Sequence, residues 1–184
     1  LKRRPFNKKL TFSEVLDIAI QLSEILHYLH QKKIIHKDIN TANIMLSKNG
    51  VLKLIDFGIS SNLYSESNDI LKVDQIEGTL TYISPEQTGR TTYPVTHSCD
   101  FYSFGILLYE LLTGKPPFDS VDPLEVIHFQ LSRNPIPLQK IIPNLPEGLE
   151  KVVTKLLKKN PDERYHSASG LKWDLVTIQN HLSD

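Results

Sequence analysis

A long apolar segment near the middle of the chain most constrains how it can fold. Between Cys99 and Leu112 nearly every side chain is apolar or small, and Gly114 and Pro116 follow, as expected where a helix ends. The segment contains Glu110 and is far shorter than the roughly 20 residues that span a membrane. It has almost no polar face, so the sequence predicts a helix buried at the centre of a globular domain.

Further helices and one hairpin are predicted around this helix. From Thr11 to Gln31, apolar residues recur at spacings of three and four, and Thr11 with Glu14 forms a capping box. Two short apolar runs, Ile44–Leu46 and Val51–Ile55, are separated by a Lys-Asn-Gly turn typical of a hairpin. The remaining helices are predicted at Pro123–Leu131, Glu147–Lys158 and Ser167–His181. These elements predict a single, mainly α domain.

The other segments are predicted to lack regular structure. Ile34–Asn43 is too polar and irregular for a helix or strand, Ser60–Gln75 is rich in Ser, Asn and Asp, and three prolines mark a loop over residues 135–143. Trp173 and Leu175 are both expected to pack the last helix against the core.

The composition excludes several classes of function. The 184 residues include 21 Lys and Arg and 21 Asp and Glu, so the chain lacks the basic excess expected of a nucleic-acid partner. Its single cysteine, Cys99, cannot form an internal disulfide, which favours a reducing, cytoplasmic location. Neither a membrane span nor a signal peptide is predicted. Because the chain begins with Leu1 rather than Met, we expect it to be a piece of a longer protein.

Three oxygen-bearing side chains can converge on one point. Asp38 lies in a polar loop, Asn43 follows five residues later, and Asp56 lies at the end of the predicted hairpin. Carboxylate and amide oxygens of this kind suit Mg²⁺. Phosphoryl transfer requires such a set, because a carboxylate must orient the attacking hydroxyl and a metal must neutralise phosphate charge.

Two segments resemble motifs of the eukaryotic-type protein kinase family. The first is the loop Ile35-His36-Lys37-Asp38-Ile39-Asn40-Thr41-Ala42-Asn43, and the second is Asp56-Phe57-Gly58. The family has H-R-D-x-x-x-x-N and D-F-G at these places. The resemblance implies that Asp38 is the catalytic base, that Asn43 and Asp56 hold Mg²⁺ and ATP, and that the γ-phosphoryl group passes to a protein substrate. Structural roles are implied for His36, Phe57 and Gly58.

Four further positions extend this resemblance. Glu86 ends a Ser-Pro-Glu where the family has A-P-E, and Arg164 matches the late arginine that pairs with that glutamate. Asp100 opens a segment similar to D-x-W-S-x-G, which implies that it braces the catalytic loop from below. Thr79 matches a threonine that in Ser/Thr kinases bridges the catalytic Asp and the substrate-binding loop.

The resemblance covers only one lobe of the family's fold. It implies a kinase-like C-lobe with a short β-hairpin carrying the metal-binding Asp, divided into a catalytic loop at 34–43, an activation segment at 56–86 and a helical remainder at 99–184. A Gly-rich loop and a Val-Ala-Ile-Lys lysine are missing from the sequence, so the N-lobe is absent from residues 1–184. We expect the missing N-lobe to belong to the same parent chain and the isolated segment to be nearly inactive.

Two residues of the catalytic loop depart from the family pattern. Asn40 stands where Ser/Thr kinases have a lysine that contacts the transferred phosphate, and a neutral amide cannot neutralise charge, so a slower reaction is expected. Lys37 replaces an arginine and loses its bidentate geometry. Ser/Thr specificity is favoured over Tyr, because Asn40 and Ala42 stand where tyrosine kinases place an arginine.

Alternative interpretations remain at this stage. The chain can be a pseudokinase or interaction module of a larger signalling protein, or a truncated gene product. A narrower likeness is carried by His-Lys-Asp in the catalytic loop, by residues 78–90 and by the Gly-Leu-Lys-Trp-Asp-Leu run from Gly170. These residues resemble those of large bacterial hybrid kinases, which implies ATPase and histidine kinase modules downstream. His27 and His30 with Glu24 could mimic a metal face, but no further ligand set is evident, and Cys99 is expected to be a buried, inert thiol.

Overall fold

Six α-helices and four short strands occur within residues 10–56, 61–62 and 80–183, the part of the chain that a computed structural model describes. The helices are α1 (Phe12–Gln31), α2 (Ser98–Thr113), α3 (Pro123–Ser132), α4 (Leu138–Ile141), α5 (Glu147–Leu156) and α6 (Ala168–Ser183). The strands are β1 (Ile34–Ile35), β2 (Ile44–Leu46), β3 (Leu52–Leu54) and β4 (Ser61–Asn62). Short 3₁₀ turns lie at Leu80–Tyr82, Glu86–Thr88 and Pro161–Glu163. The mainly α fold class is therefore confirmed.

Helix α2 is the buried centre that its sequence predicts. All of its residues except Glu110 and Thr113 are buried. It ends at Gly114, whose φ of 81° lies in the left-handed region that glycine adopts most easily. No helix in the described ranges is long and apolar enough to cross a membrane. Helices α1, α4 and α5 pack against α2, while α6 packs against α1 and α5 and the β2–β3 hairpin packs against α1. These elements share one hydrophobic core. The buried apolar residues of α3 form a second, smaller cluster.

Helix α1 begins with the predicted capping box. The backbone N–H of Glu14 donates to Thr11 Oγ1 at 3.2 Å, and the N–H of Thr11 donates to Glu14 Oε2 at 2.8 Å. One stripe of the helix is buried: Val15, Leu16, Ile18, Ala19, Leu22, Leu26 and Leu29. The side chain of Gln21 holds the β2–β3 hairpin, since it donates to the Gly50 carbonyl at 3.0 Å and accepts from the Leu52 N–H at 2.9 Å.

Three sequence predictions differ from the structure. Residues 34–35 form strand β1, which pairs antiparallel with β4, so the loop prediction for Ile34–Asn43 is wrong at its first two residues. The proline-containing loop holds the one-turn helix α4. Trp173 is 70% exposed although Leu175 is buried, because Trp173 lies two positions from both Leu171 and Leu175 and therefore projects from the opposite face of α6.

The space around two glycines predicts opposite effects of alanine substitution: Gly105 lies in the tight contact between α2 and α5, and Gly170 lies in open surroundings in α6. A Cβ atom at Gly105 would lie 2.8 Å from Leu156 Cβ and 2.9 Å from Leu157 Cδ2, so Gly105→Ala should lower the free energy of unfolding by about 1–3 kcal/mol. At Gly170 in α6 the nearest atom would lie at 3.4 Å, and Gly170→Ala should raise that free energy by about 0.5 kcal/mol. Urea unfolding of both variants measures the difference, and equal effects would contradict this account of Gly105.

Candidate functional site

A buried carboxylate holds the loop that carries Asp38. Asp100, in the first turn of α2, accepts hydrogen bonds from the backbone N–H of His36 at 3.0 Å and of Lys37 at 2.8 Å. Nε2 of His30 lies 2.9 Å from the same carboxylate. Lys37 has a φ of 66°, an unfavourable conformation for a residue with a Cβ. The hydrogen bonds to Asp100 therefore stabilise a strained turn immediately before Asp38.

Both carboxylate oxygens of Asp38 accept a hydrogen bond from a side-chain amide. Nδ2 of Asn40 lies 2.7 Å from Oδ1, and Nδ2 of Asn43 lies 2.7 Å from Oδ2. Oδ1 of Asn40 in turn accepts from the N–H groups of Ala42 at 2.9 Å and Asn43 at 3.0 Å. Asn40 and Asn43 are buried, so these contacts fix the orientation of the carboxylate.

The end of the hairpin lies beside Asn43. The N–H of Ile55 donates to the carbonyl of Asn43 at 2.8 Å, which brings the following residue, Asp56, to this loop. Asp56 is exposed and has a φ of 65°. Because Nδ2 of Asn43 donates to Asp38, its Oδ1 is the atom of that side chain that can face a cation. Carboxylate and amide oxygens are ligands that Mg²⁺ prefers, so Asp56 and Asn43 are the residues that could hold this ion.

His36 lies between three carboxylates. Burial lowers the pKa of His36, while the charges of Asp100, Asp38 and Asp56 and a hydrogen bond with the backbone of Ile55 act in the opposite direction. Its Nδ1 lies 3.3 Å from the N–H of Asp38. This side chain fills the space between the loop and the hairpin end, a placement consistent with a structural role.

Glu86 and Arg164 form an ion pair inside the protein. Nη1 of Arg164 donates to Glu86 Oε1 at 2.6 Å and Nη2 donates to Oε2 at 2.9 Å, with Arg164 1% exposed and Glu86 2% exposed. The guanidinium group also donates to the carbonyls of Ser98, Lys158 and Lys159. A buried charge pair is stable only when its remaining hydrogen-bonding capacity is used, as it is here.

Gln87 is a polar link that the sequence analysis missed. Its Nε2 donates to the carbonyl of Lys37 at 3.0 Å, and its Oε1 accepts from the N–H of Ser84 at 3.1 Å and from Ser84 Oγ at 2.9 Å. Gln87 thus joins the segment before Glu86 to the strained turn of the catalytic loop. Its position directly after Glu86 marks Gln87 as a residue near the site, but no sequence pattern predicts its hydrogen bond to Lys37.

Tyr82 is a second residue that the sequence analysis missed. Its hydroxyl donates to Glu110 in α2 and lies 3.0 Å from Oγ1 of Thr41. Ser103 Oγ donates to the Tyr82 carbonyl at 2.8 Å. Burial raises the pKa of Tyr82, and the hydrogen bond to Glu110 acts in the same direction. Burial also raises the pKa of Glu110, although the hydrogen bond from Tyr82 opposes this.

The remaining candidates differ in how far they can be located. Phe57, Gly58 and Thr79 lie outside the described residues. Cys99 is fully buried, and burial together with the charges of Asp100 and Glu86 raises its pKa, which agrees with an inert thiol. Within the described ranges, no group of three or more His, Cys, Asp or Glu side chains could hold a metal ion, so the histidines of α1 do not form such a site.

Comparisons with known proteins identify the family of the chain. A family model described as protein kinase domain matches residues 2–175. The chain is 38% identical over 163 residues to serine/threonine-protein kinase PknB of Mycolicibacterium smegmatis, which covers 89% of this chain and 26% of the relative. The chain is 36% identical over 171 residues to PknB of Mycobacterium tuberculosis, and the match covers 93% of this chain and 27% of the relative. A probable serine/threonine-protein kinase of Clostridium acetobutylicum is 32% identical over 175 residues, and the match covers 95% of this chain and 26% of the relative.

These matches have two consequences. The chain spans about a quarter of the length of the curated relatives. The family match, by contrast, extends over nearly all of the 184 residues. The chain therefore belongs to the protein kinase domain family.

Proposed function

We propose that this chain is the catalytic-loop part of a protein serine/threonine kinase, which transfers the γ-phosphoryl group of ATP to a protein hydroxyl. The observation that carries the proposal is the pair of amide hydrogen bonds from Asn40 and Asn43 to Asp38. A carboxylate held in this way can accept the proton of a substrate hydroxyl and aim the oxygen at the phosphoryl group. The names of the relatives, all serine/threonine-protein kinases, support this specificity.

In this proposal Asn43 and Asp56 hold Mg²⁺ next to Asp38. When bound, Mg²⁺ supplies the positive charge that neutralises the phosphate oxygens. Asn43 would therefore have two tasks, since its amide nitrogen orients Asp38 and its amide oxygen would be left to bind the cation. The Glu86–Arg164 pair, Asp100 and Gln87 act as positioning residues that keep the loop and the segment beside it in register. Lys37 contributes its strained backbone, and Thr79, Phe57 and Gly58 keep the roles implied by the resemblance.

We infer that the rest of the nucleotide site lies on the parent chain. The sequence contains neither the Gly-rich loop nor the strand lysine that cover ATP phosphates in this family, so an N-lobe must supply them. The likeness to bacterial hybrids also implies ATPase and histidine kinase modules downstream, in a cytoplasmic protein. Peptide mapping of the natural protein by mass spectrometry should find a Gly-rich loop and a strand lysine upstream of residue 1. Their absence from a natural product that includes these residues would favour an interaction module over an enzyme.

Replacing the proposed metal ligand tests whether the protein is an enzyme. In the full product of the gene, Asp56→Asn should reduce phosphoryl transfer at least about a hundredfold, because a bound metal lowers the barrier by several kcal/mol. Asp119→Asn makes the same chemical change at another exposed aspartate and should leave the rate unchanged. Transfer of ³²P from ATP to a generic protein substrate measures both rates.

The outcomes separate the two candidate functions. Full activity of Asp56→Asn would show that this residue does not hold the metal. A folded wild-type protein that binds ATP and transfers no phosphate would instead support the pseudokinase interpretation.

The hydrogen bonds of Asn40 predict a loss of rate when its amide is removed. Asn40→Ala should lower kcat by roughly 10- to 100-fold, because Asp38 loses one of two oriented hydrogen bonds and such bonds to charged groups contribute about 1.5–3 kcal/mol. The exposed Asn134 provides the matched control, Asn134→Ala, which should behave as wild type. Steady-state kinetics at saturating ATP measure the effect. An unchanged kcat in Asn40→Ala would mean that Asn43 alone is sufficient to orient Asp38.

A further inference from the structure

Helix α3 is bonded directly to the segment that precedes Glu86. Gln130 in α3 is 0% exposed. Its Nε2 donates to the carbonyl of Thr81 at 2.6 Å and lies 3.4 Å from that of Leu80. Its Oε1 accepts from the hydroxyl of Tyr102 in α2 at 2.7 Å. The buried amide of Gln130 thus bonds both α2 and the segment before Glu86. It fixes their relative position, because breaking either bond leaves a buried polar group unpaired.

An apolar contact supports the same connection. A buried cluster separate from the main core consists of Leu80, Ile83, Val126 and Ile127. Leu131 packs against this cluster. The first two belong to the segment before Glu86 and the other two to α3. Gln130 lies one helical turn after these α3 residues, so the apolar cluster and the amide hold the same stretch of backbone.

Tyr102 sets the direction of the Gln130 amide. Its hydroxyl accepts a hydrogen bond from Nζ of Lys159 at 2.8 Å, so its own proton is directed to Gln130. Burial lowers the pKa of Lys159 to about 7, and the charge of Arg164 acts in the same direction. The guanidinium of Arg164 also lies 4.8 Å from the centroid of the Tyr102 ring. The family motif has tryptophan at this place, and an indole can donate but not accept, so this network depends on tyrosine.

The other side of the segment contacts the catalytic loop. The hydroxyl of Tyr82 lies 3.0 Å from Oγ1 of Thr41, three residues after Asp38. The segment from Leu80 to Tyr82 therefore lies between α3 and the loop that bears the proposed catalytic base. A displacement of its backbone would therefore change the surface next to Asp38. The contacts described in this subsection involve neither Asn43 nor Asp56.

We propose that Gln130 is a positioning residue for the protein substrate. It holds the carbonyls of Leu80 and Thr81, so residues 80–83 keep a fixed place beside the loop that bears Asp38, where a protein chain would present its hydroxyl. This inference rests on the proposed kinase function. It predicts that Gln130 affects binding of the protein substrate and leaves binding of ATP unchanged. Tyr102 acts through Gln130 and should have the same effect at smaller size.

The test compares two variants in the full product of the gene. Gln130→Met keeps the length of the side chain and removes its hydrogen bonds, and we expect the KM for a protein substrate to rise on the order of tenfold with the KM for ATP unchanged. Tyr102→Phe removes one hydroxyl and should raise the same KM about threefold. Amide hydrogen exchange of residues 80–83 should become faster in both variants. If Gln130→Met fails to fold, Tyr102→Phe decides the question.

A destabilising control separates positioning from general stability. Leu175→Ala leaves a cavity under α6, remote from this segment, and should lower the melting temperature without raising the KM for protein substrate. An unchanged KM for protein substrate in both variants, or an equal rise of the KM for ATP, would overturn the proposal. An inactive wild-type protein would instead contradict the proposed function. In that case hydrogen exchange still tests the link between Gln130 and residues 80–83, and unchanged exchange would overturn it.

Discussion

The carboxylate of Asp100 is the contact on which the catalytic loop depends. A charge buried at 0% exposure is costly unless hydrogen bonds replace its hydration, and here two backbone N–H groups and His30 do so. Its place in the first turn of α2 adds the favourable field of the helix N-terminus. The hydrogen bonds to Asp100 offset the conformational cost of the positive φ of Lys37. They thereby fix the backbone position of Asp38, the next residue.

Helix α2 extends this control to the segment before Glu86. Four of its side chains face different parts of the site: Asp100 bonds the catalytic loop, Tyr102 bonds Gln130, Ser103 bonds the carbonyl of Tyr82, and Glu110 bonds the hydroxyl of Tyr82. A single rigid helix therefore sets the distance between the loop that bears the base and the segment that would present the substrate. These four residues therefore account for part of the polar character of an otherwise apolar helix, because each of them has a partner in or next to the site.

The sequence predicts the helices well and the contacts between loops poorly. The periodicity of α1 and the uninterrupted apolar character of α2 are local properties, so both helices are found within one or two residues of their predicted ends. The bonds of Gln87 and Gln130 join residues about 50 positions apart and leave no local pattern. Trp173 was predicted wrongly because apolar character favours burial only on the helix face that meets the core.

Asn40 lacks the charge of the lysine that the family has at this position, but in the structure its amide orients the neighbouring residues. Judged against the family motif, it is a missing positive charge. In the structure its amide nitrogen orients Asp38, and its oxygen accepts from the N–H groups of Ala42 and Asn43. A lysine has three donors and no acceptor, so it could not satisfy those N–H groups. In the proposed kinase, the loop would therefore use orientation where the family uses charge, and the neutralisation of phosphate charge would fall on a bound metal and on groups outside this loop.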